Sequence, residues 1–136
     1  MGMLFPRAVL LVVSVMAGTL MPLASIAQSY PSRPVRFIIP FPPGGPTDVI
    51  GRMVATRLAE AWAVAVVSDN RPGAGGNLGT EQCAKSRADG YTICMFSIAQ
   101  TISPSIYPKL GFDPARDFVH VTLLATLPSL LVVHPS

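Results

Sequence analysis

Two glycine-rich runs hold most of the chemistry this sequence can offer, and it is chemistry of the main chain. The first is Pro40-Phe41-Pro42-Pro43-Gly44-Gly45-Pro46, with Thr47 and Asp48 behind it, and the second is Gly73-Ala74-Gly75-Gly76-Asn77. Each lies between a strand-like apolar run and a helical pattern. Free backbone N–H groups and the positive end of a helix dipole at such a junction attract anions. Glycine fits there because a side chain would block close approach of the ligand and because the turn can demand positive φ. One such loop is more simply a tight turn, whereas two on one sheet edge make a cradle for a carboxylate or phosphate.

Side-chain chemistry is thin by comparison. Asp48 can orient a ligand or serve its own helix start, and Arg71 can meet an anion or stand solvated or ion-paired. His120 and His134 have neither H-x-x-x-H nor C-x-x-C company, so they read as surface or packed side chains and no metal is expected. No G-x-S-x-G elbow presents a nucleophilic serine. Between Gly73 and Gly79 the last glycine comes one residue too late for G-x-G-x-x-G, and no G-K-S/T follows either loop. An enzyme using the loops as a phosphate or nucleotide cradle is therefore the weaker alternative, and no organic cofactor is expected. Trp62 reads as a packing residue. For Cys83 and Cys94, two small buried thiols are preferred to a disulfide, which the spacing permits without proving.

The elements that must position these loops alternate along the chain. Val35 to Ile39 reads as a strand, followed by a helix capped by Thr47 and Asp48 and running on through Ile50, Met53, Val54, Leu58 and Ala61. Val64 to Val67 is a second strand, Leu78 to Lys85 a second helix, and Tyr91 to Phe96 a third strand after the Asp89-Gly90 turn. A short helix is expected from Ser103 to Tyr107, with strands near Val119 to Leu124 and Leu130 to Val133. The order implies an α/β fold, a parallel sheet with flanking helices, in which ligands collect at the carboxyl ends of the strands. Both glycine loops belong to that edge.

The hydrophobic share of 50% and the mean hydropathy of +0.49 are inflated by the first residues. Arg7, the apolar stretch Ala8 to Leu23 and the small-residue site Ser25-Ile26-Ala27 read as a signal peptide over residues 1–27, cleaved before Gln28. Gly18 and Pro22 break the stretch, which falls short of the about 20 residues a membrane span needs. The chain from Gln28 onward carries nine basic and seven acidic residues, a net charge too small and too scattered to suggest nucleic acid. Its length suits one modest core. Leu130 to Val133 is a buried-strand pattern without a closing element, so the chain reads as the N-terminal part of a larger fold, or else as a truncated product without function.

The segments Pro34 to Asp48, Asp69 to Gly79, Asp89 to Thr92, Ser103 to Tyr107 and Asp113 to Phe118 together resemble the tripartite tricarboxylate transporter receptors, the Bug-type periplasmic solute-binding proteins. The likeness implies a type II periplasmic binding protein fold, of which this chain holds the first lobe only. Residues 28–126 would be the partial first lobe and 127–136 the start of the crossover to a second. It further implies a periplasmic receptor, not an enzyme, that binds a small carboxylate and delivers it to integral membrane permease subunits. The ligand positions it carries over are Pro42, Pro43, Gly44, Gly45 and Asp48 on the first loop and Gly73, Ala74, Gly75, Gly76 and Asn77 on the second. Ser97 stands where the family often begins a third loop with glycine. The sequence departs from the pattern at Ala63-Val64-Ala65, where the family commonly has Gly-Gln-Pro.

Overall fold

The computed structural model describes residues 29–128 and 130–134, so the leader assigned to residues 1–27 lies outside the described residues. Strand β1, Val35–Ile39, is apolar except for Arg36 and forms the centre of a three-stranded sheet. β2, Val66–Asn70, pairs along one side with Val35 opposite Val66 and Ile39 opposite Asn70, and β3, Thr92–Cys94, along the other with Phe37 opposite Ile93. Both pairings are parallel, which requires crossover connections. Helix α1, Pro46–Trp62, and helix α2, Asn77–Ala84, supply them, and α3, Ile98–Ile106, follows β3.

A central strand covered on both faces must be apolar almost throughout. Val35, Ile38 and Ile39 are fully buried and Phe37 nearly so; each such side chain stabilises the fold by about 1.5–3 kcal/mol. The pleat sorts the neighbours. Phe37, Ile93 and Met95 meet Ile50, Val54 and Ala55 of α1. Gly51 allows that helix to lie close, since a Cβ there would stand 2.8 Å from Ile39 Cδ1. Cys94, out of phase with Ile93 and Met95, faces the opposite side. There α2 brings Cys83 to it at a Cα–Cα distance of 6.4 Å, and the two form a disulfide. This corrects the expectation of two separate thiols: the α2 crossover lands on the face where Cys94 points, which linear spacing does not reveal.

Other boundaries also move. β2 runs on through Ser68, Asp69 and Asn70, whose residue types suggest a loop. The ladder with β1 continues to Ile39, and Asp69 is matched there by Arg36 at 2.6 Å. The helix expected from Ser103 begins at Ile98. No strand forms at Val119 to Leu124 or, among the described residues, at Leu130 to Val133; Val119 and Leu131 are 91% and 96% exposed. An apolar run becomes a strand only where a neighbour satisfies its backbone, and here none is aligned with it. The preceding turn is well anchored: Asp113 Oδ1 accepts the Ala115 N–H, and Phe118 packs edge-on against Phe96 and Phe112.

Helix α1 ends without the usual glycine. Ala63 takes the left-handed conformation itself, at φ 52°. Near it, at the amino ends of the strands, the start of the described chain is tied down. The Tyr30 hydroxyl donates to the Gly90 carbonyl at 2.7 Å, and its ring stands edge-on to Trp62 and Tyr91. Trp62 is thus half-buried packing, as its sequence context suggests. Arg33 adds an ion pair with Asp89 and lies over the Tyr91 ring.

Candidate functional site

All three loops at the carboxyl ends of the strands bear on one region. The first leaves β1 at Pro40 and enters α1 through Gly45, the N-cap, with Pro46 at the first helical position. Proline is suited to that position because its fixed φ matches the helix and its missing N–H has no intrahelical partner there anyway. No side chain caps the helix. The expected capping by Thr47 and Asp48 is therefore corrected: the N-cap is Gly45 and the helix starts at Pro46, which carries both residues inside its first turn.

Asp48 instead ties the loop to the sheet. Its buried carboxylate accepts the Gly44 N–H at 2.8 Å, Arg52 Nε at 3.0 Å and Asn70 Nδ2 at 2.8 Å. Asn70, the last residue of β2, also donates to the Phe41 carbonyl at 3.0 Å and accepts from Arg52 Nη2 at 2.7 Å. The Arg52 hydrogen bond, then the Gly44 N–H and Asn70, hold the Asp48 pKa down to about 2. The carboxylate is thus ionised and fully engaged in shaping the loop. Pro42, Pro43 and Gly44 are exposed at its tip, with Gly45 half-buried beneath.

The second loop is a run of four residues with positive φ: Gly73 at 129°, Ala74 at 48°, Gly75 at 66° and Gly76 at 98°. Only glycine adopts most of such values at low cost, so the composition of the loop follows from its path. The run reverses the chain and delivers it into α2, whose N-cap, Gly76, offers no side-chain cap. A Cβ on Gly76 would collide with Gln100 Nε2 and stand 3.2 Å from the Pro40 carbonyl, so this loop is seated directly against the first. Gly75 and Ala74 are exposed, whereas Gly76 and Asn77 are buried. Asn77 Oδ1 lies 2.7 Å from Ser103 Oγ, and among the described residues nothing meets Asn77 Nδ2. Arg71, outside this loop, is ion-paired with Asp69 at 2.9 Å. Burial pushes the Asp69 carboxyl up, but Arg36 and Arg71 outweigh it and hold it below its ordinary range.

At the third loop Ser97 is the N-cap of α3. Its Oγ accepts the Ala99 N–H at 3.2 Å, while Gln100 Oε1 accepts both the Ser97 N–H and the Ser97 hydroxyl at 2.9 Å. This S-x-x-Q capping box is legible in the sequence, although apolar spacing alone does not reveal it. It accounts for the early start of α3 and engages the Ser97 hydroxyl in the helix cap. Gln100 is fully buried, and its Nε2 donates to the Gly75 carbonyl at 3.2 Å. Of the residues expected at the site, the structure joins Gly44 with Asp48, and gathers Gly75, Gly76, Asn77 and Ser97 around Gln100 and Ser103. Asn70, Arg52, Gln100 and Ser103 are additions that the sequence pattern does not announce.

Two helix starts without side-chain caps, reached through glycine loops, lie on the carboxyl edge of a parallel sheet, where free N–H groups and helix dipoles create a setting that suits an anion. The comparisons with known proteins agree. Residues 50–136 match the family described as the tripartite tricarboxylate transporter family receptor, and the chain belongs to that family. The UPF0065 protein in the tcbD-tcbE intergenic region of Pseudomonas sp. strain P51 is 43% identical over 106 residues, which is 78% of this chain and 32% of that one. The solved structure of periplasmic binding protein BugD aligns at a TM-score of 0.63 with 39% identity, covering 65% of this chain and 30% of that one. MatC from Rhodopseudomonas palustris with bound malate aligns at 0.62 with 31% identity, covering 65% and 31%. The chain spans about a third of the length of the curated relatives it matches. The fold is accordingly part of a periplasmic-binding-protein lobe, and the family is one of solute-binding receptors, not enzymes.

Proposed function

We propose that this chain is the carboxylate-holding part of a periplasmic receptor that passes its ligand to a tripartite tricarboxylate-type permease in the membrane. One observation carries the reading: the glycine loops after β1 and β2 lead into helices without side-chain caps on the same sheet edge. Main-chain N–H groups of Gly45 on the first loop and of Gly73, Ala74 and Gly75 on the second would take the ligand carboxylate. Pro42 and Pro43, which have no N–H, would shape the first loop with Asp48, whose carboxylate holds the Gly44 N–H. Gly76 and Asn77, bonded within the second loop, would set its path, and Ser97 would border the site from α3. The unmatched Asn77 Nδ2 is a donor with capacity left for an acceptor. Malate in the MatC relative is a ligand of the required chemistry. Residues 28–126 would form part of the first lobe, with 127–136 leading toward the second, and residues 1–27 would direct export and be removed.

The test is a thermal melt of the purified chain against mono-, di- and tricarboxylates, malate first. A ligand that binds only the folded form raises Tm with concentration, by about 2.7 kcal/mol of stability at a hundredfold excess over Kd. A flat Tm across the whole series at millimolar concentration overturns the proposal. A shift produced by nucleotides and by no carboxylate would favour the phosphate-cradle alternative.

A further inference from the structure

One buried side chain joins the second and third loops, and it belongs to none of the expected ligand positions. Gln100 lies in the first turn of α3 with no exposed surface. Its carbonyl end closes the Ser97 capping box, and its amide end reaches 25 residues back along the chain to the Gly75 carbonyl. Gly76, beside it, has no room for a Cβ, which would collide with Gln100 Nε2 and crowd the Pro40 carbonyl. The amide therefore lies where the exits of β1, β2 and β3 converge.

A buried amide is stable only if both ends are matched, because an unmatched polar group there costs about 1–3 kcal/mol. Gln100 meets that requirement by joining two loops that no backbone ladder connects. Its carbonyl end also engages the Ser97 hydroxyl, so Gln100 orders the start of α3 at the same time.

We propose that Gln100 is the positioning residue of the carboxylate cradle: it fixes the second glycine loop against the start of α3 and so presets the N–H groups that meet the anion. The inference rests on the receptor reading for its function, but its structural half stands alone. Preorganised loops bind more tightly because less ordering is left to the binding event. A leucine at this position would fill the volume and leave the loops unjoined.

The experiment compares amide exchange and malate affinity in the full chain, Gln100→Leu and Gln100→Glu. The reporting amides are Gly76 and Asn77, which bond to the Gly73 and Ala74 carbonyls and not to Gln100. In Q100L their protection is expected to fall at least tenfold, with the β1–β2 amides unchanged. Q100E keeps the acceptor end but sets a carboxylate against the Gly75 carbonyl. Its loop protection and malate affinity are expected to be low at neutral pH and to recover below the pKa of the introduced acid, where it donates again. Unchanged protection at Gly76 and Asn77 in both variants overturns the proposal, and so does a uniform loss across the sheet, which would make Gln100 a core residue only. Should Q100L not fold, the pH profile of Q100E decides alone, and a flat profile overturns the proposal. Malate failing to bind the unaltered chain would count against the receptor reading while the exchange data still decide the role of Gln100.

Discussion

Asp48 and Gly76 show how much the shape of a candidate main-chain site depends on single residues that hold its loops. Asp48 gathers Gly44, Arg52 and Asn70 around a carboxylate whose pKa is depressed to about 2. A depressed folded-state pKa contributes stability above the unfolded value of about 3.9, and that contribution is lost as pH falls through the folded value. Tm measured from pH 5 down to pH 2 should therefore decline, and Asp48→Asn should flatten that part of the profile while lowering Tm at neutral pH. An equal slope in the variant would show that other carboxylates govern the acid response. Gly76→Ala meets two obstacles at once, a φ of 98° and the Gln100 amide. It should lose more than about 1 kcal/mol from the conformation alone and weaken any carboxylate response further; urea titration gives the first and the melt series the second.

At the scale of elements, α1 was legible because its apolar spacing and the preceding Pro-Gly run both state a helix start. β1 was legible because a doubly covered strand must be a continuous apolar run. The three polar residues that end β2 were not legible, since Ser68-Asp69-Asn70 carries turn chemistry that only pairing with Phe37, Ile38 and Ile39 overrides. Nor was the end of α1. Ala63 holds a left-handed conformation at φ 52°, which costs about 1–2 kcal/mol in a residue with a Cβ. Ala63→Gly should thus raise stability by about 1 kcal/mol, seen as a higher urea midpoint with an unchanged slope. The disulfide closes a loop between α2 and β3 with a sequence separation of 11. Reduction, or Cys83→Ser with Cys94→Ser, should remove about 2–3 kcal/mol, and calorimetry with and without reductant measures it.

For the whole molecule, the parallel sheet and the placing of both loops on its carboxyl edge followed from the order of elements alone. The candidate site was legible as far as glycine and backbone go, and illegible where side chains 20 or more residues apart meet, as Gln100 meets Gly75. The segment from Val119 to Val133 carries apolar side chains in the open. Its strand pattern misled because hydropathy records what a segment can bury and not what stands beside it. Brief digestion with thermolysin, read by mass spectrometry, should cut first between Val119 and Val133 and leave residues 29–118 intact; early cuts inside α1 or α2 would contradict this order of exposure.

The clasp of Tyr30 on Gly90 and Trp62 fastens the beginning of the described chain to the amino ends of the strands, the edge opposite the glycine loops. A tether attached ahead of Ser29 would therefore leave the protein standing on a sensor chip or bead with its glycine-loop edge turned to the solution. A tether at the other terminus would hang from the exposed apolar tail and give no such orientation.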